Sequence, residues 1–263
     1  MRDKVFITIL IVLMLLVIYN FEILAAVRVE PARIIINSKL NTRSTGIIEV
    51  INNGEEQMLL QAFLYDWSLN DRDGLITYEP GTLDSSLGEY IKFNPRSFII
   101  DPGKKQIVRF TLTTPELLDK ELRGIVFFEH ETDYVDESTG AKVKTQLGTV
   151  IYLIPENVNY NFKLNEVRFS TGSDKDMHSS LLIMENNGSA HLRFSINYKI
   201  IDNNSNLIEE DRLENNVLLP DFQRGLMFNF NQKLKPGDYK LILTYNFFNN
   251  EKQSDYEIPF TVK

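Results

Sequence analysis

The 263-residue sequence contains no cysteine, which excludes disulfides and thiolate-based metal or redox chemistry. Histidine occurs only at His130, His178 and His191, and no two of these have metal-ligand spacing. A Gly-x-Ser-x-Gly elbow, a Gly-rich phosphate loop and a His-Glu-x-x-His pair are all missing, so no catalytic residue, metal ligand or cofactor can be assigned. Positive charge is in short supply. Lys and Arg number 28 against 36 Asp and Glu, a net charge of −8, which argues against nucleic acid and against anionic lipid. Helical periodicity is scarce too, and only Glu116 to Leu122 reads as a short helix. After the first segment, no apolar stretch approaches transmembrane length.

What is present begins with an export segment. Arg2 and Lys4 precede an apolar run from Val5 to Tyr19, and Ala25 and Ala26 offer a small-residue cleavage site. Residues 1–26 therefore read as a signal peptide or as an uncleaved anchor, although the run is short of the roughly 20 residues that span a bilayer. Either way the remainder works outside the cytoplasm.

Hydrophobic content of 43% suffices for a core in each of two ordinary domains. Alternation of apolar and polar residues predicts strands at Val27 to Ile36, Ile47 to Ile51, Met58 to Trp67, Leu75 to Tyr78, Ile91 to Ile100, Gln106 to Thr113, Gly124 to His130 and Val143 to Ile154. In the third, Leu60, Ala62, Leu64 and Asp66 share one face, while Leu59, Gln61, Phe63, Tyr65 and Trp67 share the other. Roughly eight short strands with turns between them indicate a β-sandwich. Pro155-Glu156-Asn157 is a natural hinge. Beyond it, strands are predicted at Phe162 to Phe169, Ser180 to Glu185, Leu192 to Ile201, Leu226 to Phe230, Tyr239 to Phe247 and Tyr256 to Val262. The fold class is thus all-β, with a first domain over 27–155 and a second over 158–263, both sandwiches.

Two landmarks recur. Asn52-Asn53-Gly54 reappears as Asn186-Asn187-Gly188, and Pro102-Gly103 reappears as Pro236-Gly237, each 134 residues on. This predicts related strand plans in the two domains, with a bulge or gap after the second landmark. Asp71-Arg72-Asp73-Gly74 lacks the later acidic ligand of a calcium loop and reads as a polar turn. The run Glu129 to Glu137, with five carboxylates in nine residues, reads as a solvated loop.

One cation stands out. Arg33 lies in an otherwise apolar strand, where it either points to solvent or anchors a carboxylate through its planar fork of donors. Around it, Val29-Glu30-Pro31-Ala32-Arg33-Ile34-Ile35, Glu49-Val50-Ile51-Asn52-Asn53 and Leu60-Gln61-Ala62-Phe63 occur in order. They are followed by Asn94 to Phe110, Thr113-Thr114-Pro115, Val126-Phe127-Phe128 and Ile151-Tyr152-Leu153-Ile154-Pro155. Over about residues 27 to 157 the sequence resembles the PapD-like periplasmic pilus chaperones.

The resemblance implies two immunoglobulin-like domains set as an L, no enzymatic activity, no cofactor and a location in the periplasm. It implies donor-strand complementation, in which the chaperone's G strand completes the fold of a pilus subunit. The implied partners are pilus or surface-fibre subunits and an outer-membrane usher, with neither nucleic acid nor a small-molecule substrate. Arg33 takes the place of the family's cleft arginine, which binds the subunit's terminal carboxylate. The donor strand maps to Val143, Thr145, Leu147 and Thr149, with Ala141 ahead of them. This chain departs from the pattern at two positions. Val150 stands where the family has a lysine beside the cleft arginine, and Ile154 where it often has an arginine tying the domains together. A second expectation, favoured by the poor donor alternation, is a secreted structural or adhesive protein of tandem immunoglobulin-like domains.

Overall fold

A computed structural model describes residues 27–39, 42–70, 74–135, 139–140, 142–171, 178–248 and 253–263, with 131–135 and 142–143 as backbone alone. The export segment, the turn at 71–73 and most side chains of the acidic run lie outside the described residues. The first ten strands are β1 (Val27–Glu30), β2 (Arg33–Asn37), β3 (Arg43–Asn52), β4 (Met58–Leu69), β5 (Leu75–Tyr78), β6 (Ile91–Asn94), β7 (Ser97–Ile100), β8 (Lys105–Thr113), β9 (Leu122–Val135) and β10 (Lys142–Ile154). Then come β11 (Phe162–Thr171), β12 (His178–Asn186), β13 (Leu192–Asp202), β14 (Leu207–Leu218), β15 (Phe222–Asn229), β16 (Gly237–Phe247) and β17 (Gln253–Val262).

These strands make two sandwiches. In the first, a sheet ordered β1-β3-β8-β6 faces one ordered β2-β10-β9-β4-β5, with β7 also on β4. In the second, β11-β12-β15 faces β14-β13-β16-β17. Strand alternation fills each interior. Leu60 and Ala62 of β4 are buried while Leu59, Gln61 and Phe63 are exposed, and Val108, Phe110 and Leu112 of β8 point into the first core. Met184, Phe194, Tyr198, Leu243 and Tyr245 lie in the second.

Prolines divide two segments that the apolar pattern reads as single strands. At Pro31-Ala32 the chain leaves β1 in one sheet and enters β2 in the other; at Pro95-Arg96 it does the same between β6 and β7. A proline has no N–H to give a ladder, so it sits well where pairing is broken off.

Three expectations need correction. Residues 116–122 form no helix: Leu118 and Leu122 pack against the first core from an irregular segment that runs into β9. Their spacing of four, which a helix would also give, is satisfied by tertiary packing. The backbone of β9 continues to Val135, so the acidic run begins in a strand rather than a loop. The strand β14 was not anticipated, because Leu207 to Leu218 is dominated by charge and amide. It lies at a sheet edge, where β13 is its only strand partner among the described residues. Its Glu209 is buried and accepts from the Tyr198 hydroxyl at 2.6 Å and from the backbone amides of Asn231 and Gln232 at 2.9 and 2.7 Å.

The internal repeat is real, but one of its landmarks is displaced. Asn52 is fully buried; its Nδ2 donates to Glu56 O at 2.7 Å and Ile100 O at 3.0 Å, and its Oδ1 accepts from Gly54 N at 2.9 Å. Asn186, also fully buried, donates to Ala190 O at 2.9 Å and Leu218 O at 3.0 Å and accepts from Gly188 N at 2.9 Å. The backbone carbonyl of Asn52 accepts from Gly103 N, and that of Asn186 accepts from Asp221 N. The counterpart of Pro102-Gly103 is therefore Pro220-Asp221, not Pro236-Gly237. Gly103 and Asp221 both adopt left-handed backbone, with φ of 68° and 55°. Asp tolerates that region better than most side chains, which hid the equivalence behind a change of residue type. The Pro236-Gly237 pair leads into β16, a different strand position, and this accounts for the mismatch in apolar phase.

Each asparagine closes its own sandwich by satisfying two buried carbonyls and an amide. Asn52→Ala and Asn186→Ala should each cost about 2 kcal/mol or more, since the abandoned groups keep their desolvation cost. Urea denaturation checks this; a loss below about 0.5 kcal/mol, typical of a surface substitution, would refute the closing role.

Candidate functional site

The strand β10 is paired unequally along its two edges. On one side it runs antiparallel to β9, from Lys142↔Val135 to Leu153↔Leu122, with a register shift between Lys142 and Lys144. On the other it meets β2 in parallel only from Val150↔Arg33 to Ile154↔Asn37. Val150 N donates to Ala32 O at 3.1 Å, and the Thr149 hydroxyl donates to Pro31 O at 2.8 Å. Ahead of that point no strand among the described residues pairs with this edge. Backbone groups alternate between the two sides of a strand, so those of Lys144, Gln146 and Gly148 lie on the same side as Val150 N–H and face the open edge.

Side chains alternate as well. Thr145, Leu147 and Thr149 share the inward face with Ile151 and Leu153, which are fully buried in the first core. Thr149 is buried, Leu147 is half-buried against that core and Thr145 is half-buried. Val143 lies in β10, but its side chain and the whole of Ala141 fall outside the described residues. On the outer face, Gln146 Nε2 donates to Glu129 Oε1 at 2.8 Å. Gly148 lies against Phe127: a Cβ there would come within 2.8 Å of the ring. Apolar side chains continue on this face at Leu59, Phe63 and Ile99, all exposed.

The far end of β10 reaches the second sandwich. Trp67, Ile125, Tyr152, Ile154, Ala190 and Leu219 form a buried apolar cluster spanning both, with Val150 and Val217 packed at its edge. The Tyr152 ring meets Trp67 edge-on at 6.0 Å and stacks on His191 at 4.0 Å. Val150 and Ile154, the two departures from the chaperone pattern, thus serve apolar contact between domains.

A polar core lies inside this interface. Glu121 and His191 are both fully buried at their side chains, with Glu121 Oε2 accepting from His191 N at 2.8 Å and lying 2.5 Å from His191 Nδ1. Arg123 Nη1 is 3.8 Å from Glu121 Oε1, and its guanidinium lies 5.5 Å from the centre of the Trp67 ring. Glu121 N donates to Ser189 O at 2.7 Å, and Lys120 pairs with Asp221. The segment expected as a helix is therefore a strap between domains. Burial pushes the Arg123 guanidinium below its ordinary range, and Glu121 opposes that shift. The Tyr152 hydroxyl is pushed up, first by burial and next by Glu121, against the pull of Arg193, Arg123 and Arg33. Tyr152 accordingly stays neutral.

Arg33 is exposed, and its register partner on β10 is Val150. Paired residues project from the same face, so Arg33 leaves β2 on the side where Val150 meets the inter-domain cluster. In the parallel register Val150 stands directly beside Arg33. The histidines have structural surroundings. His130 Nδ1 lies 2.9 Å from Leu59 O, and His178 is buried at the start of β12. Among the described residues no cluster of His, Cys, Asp and Glu could hold a metal ion.

Sequence reasoning missed Glu121, Arg123, His191 and Arg193. Glu121 was hidden in the supposed helix, and Arg123 fell between it and the strand predicted from Gly124. His191 was weighed only as a metal ligand, although its place between Ala190 and Leu192 marks it as buried.

No protein-family model matches the chain, and no curated protein matches it. Solved structures do. The chain superposes on the YadV chaperone with a TM-score of 0.51 at 13% identity, covering 90% of this chain and 100% of that one. A chain of the CsuC–CsuE chaperone–tip adhesion subunit pre-assembly complex of Acinetobacter baumannii matches at TM-score 0.49 and 15% identity, over 89% and 98% of the two chains. A chain of the chaperone–tip adhesin complex of CFA/I fimbriae matches at 0.49 and 14%, over 91% and 100%. The two-sandwich fold is that of the YadV chaperone.

The strap yields a test. Glu121→Ala leaves His191 and Arg123 buried without their anion, and should destabilise the protein by about 3 kcal/mol or more. Residual dipolar couplings should show a wider spread of domain orientations than in the wild type. Unchanged couplings together with unchanged urea stability would remove Glu121 from the interface argument.

Proposed function

We propose that the protein is a periplasmic chaperone that holds pilus or surface-fibre subunits by lending them β10. The observation that carries this reading is the edge of β10 from Lys144 to Gly148, left without a strand partner among the described residues while the rest of the strand is built into its domain. An exposed edge is an aggregation hazard that proteins ordinarily blunt or cover. Leaving one open is reasonable where another chain is meant to occupy it. The fold it shares with the YadV chaperone supports the same reading.

The bound subunit would gain a backbone ladder on the side of Lys144, Gln146 and Gly148. Val143, Thr145 and Leu147 would face its groove, with Thr149 closing the open stretch at its carbonyl contact to Pro31. The inward side chains of Thr145 and Leu147 continue the row of Ile151 and Leu153, so the partner's core would extend that of the chaperone. Arg33, at the crease where the open stretch ends, would take the subunit's terminal carboxylate through two parallel N–H···O bonds. The action is stoichiometric: no bond is made or broken, no cofactor takes part, and the protein is not an enzyme. Subunits would pass on to an outer-membrane usher, and residues 1–26 would direct export.

Gln146→Pro deletes one backbone donor on the open edge, while the amides of Thr145 and Leu147 on the β9 side remain. Co-expression with the secreted subunits encoded beside this protein should give a stable complex for the wild type. Recovery should fall roughly tenfold for Gln146→Pro and for Arg33→Ala, the scale of a lost hydrogen bond to a charged group or of a broken ladder. If no subunit co-purifies with the wild type, or if both variants retain it fully, the chaperone reading fails.

A further inference from the structure

The crease contains a second cation that neither the resemblance nor the strand plan assigns. Arg193 is the second residue of β13, and its register partner on β14 is Val217. Val217 packs on the same inter-domain cluster as Val150, the partner of Arg33. Each arginine therefore leaves its backbone on the face that borders this cluster, one from each domain. The stacked rings fix their relation. Tyr152 lies two residues beyond Val150 on β10, His191 lies two residues before Arg193, and the two rings are 4.0 Å apart. Strand alternation places Arg193 on the His191 side of its chain, away from Leu192 and Phe194, which are buried in the second core. The Arg193 carbonyl accepts from Phe248 N at 2.8 Å, so the base of the side chain is fixed.

Burial lowers the Arg193 guanidinium, and the like charge of Arg33 lowers it further. Both arginines also act on the Tyr152 hydroxyl. Two guanidinium groups brought towards one crease from separate domains repel, and an anion between them converts that repulsion into attraction on both sides. Both forks match the planar geometry of a carboxylate.

We infer that Arg193 supplies the second cation of the carboxylate site, so that a partner's terminal carboxylate is gripped by one arginine from each domain. This rests on the chaperone reading of Arg33. It gives the site two donors despite Val150, and it makes the grip depend on the domain orientation held by Glu121, His191 and Tyr152.

The experiment uses the full exported protein, with a short acetylated threonine–valine peptide as probe, ending either in a free carboxylate or in an amide. Nitrogen-15 spectra of the arginine Nε–H groups follow the titration. In the wild type the acid should bind roughly tenfold more tightly than the amide, as expected for charged hydrogen bonds, and the Arg33 and Arg193 signals should move with one dissociation constant. Arg33→Gln and Arg193→Gln should each reduce the preference to about threefold or less, and Arg193→Lys should restore only part of it, lacking the fork. Should Arg193→Gln keep the full preference while Arg33→Gln loses it, the inference fails and Arg33 alone holds the carboxylate. A wild type that does not prefer the acid overturns both readings. If a variant misfolds, the wild-type Arg193 signal still decides: no movement on adding the acid refutes its part.

Discussion

The strand β10 meets three different demands along its length, and the rest of the molecule is arranged around them. Its inward residues close the first core at Ile151 and Leu153. Its last residues, Tyr152 and Ile154, enter the cluster that joins the two sandwiches. Its first half pairs on one side only. These roles are separated by the length of β2, which covers β10 from Val150 to Ile154 and no further. That length follows from where the chain changes sheets: with Pro31 and Ala32 spent on the crossing, β2 begins at Arg33. One cation, the end of the open edge and the start of the interface thus coincide.

The contact between the sandwiches combines apolar and ionic parts of different character. Burying Trp67, Ile125, Ile154 and Leu219 favours association without fixing an angle, since the hydrophobic effect has no direction. Glu121 and His191 add direction, because their bonds hold only in one arrangement. Buried ion pairs are poor stabilisers when compared with apolar replacements. A fixed orientation between the domains is a reason to keep one here, for the two arginines are borne on different sandwiches. Glu121 also meets Arg123, which lies over Trp67, so the carboxylate links the polar contact to the apolar cluster.

Alternation made most of the strands legible, and the faces read for β4 match the observed burial from Leu59 to Phe63; beyond it both Asp66 and Trp67 are buried, Trp67 by the second sandwich. The open edge was reached only through resemblance, since an unpaired backbone leaves no mark on residue type. Arg33 was visible because charge inside an apolar strand is conspicuous. Arg193 was not, because β13 has polar residues at several outward positions and nothing in the sequence tells one outward face from another. Glu121 went unread for a different reason, since the segment that bears it was read as a helix; Arg123 fell between that segment and the strand predicted from Gly124. β14 was missed because two of its buried positions are Glu209 and Asn216, whose hydrogen bonds take the place of apolar alternation.

The repeated asparagine shows what the two sandwiches share and where they part. Asn52 and Asn186 make the same set of bonds, and each ties the end of a strand to a later left-handed turn. Past that turn the domains diverge at the corresponding edges. In the second sandwich β17 is paired with β16 along ten residues, from Gly237↔Val262 to Asn246↔Gln253. In the first, β10 is longer, and its end is gripped from the other side by β2. An edge strand held on both sides at one end and on one side at the other is anchored without being closed. Its free portion can accept a new neighbour while β9 and β2 keep its register. The second sandwich contributes through the opposite end of β10, where Tyr152 and His191 set the position of Arg193. On the proposed reading, binding along the edge and binding at the crease would be coupled through one strand, and a partner that filled the first would come into line with the second.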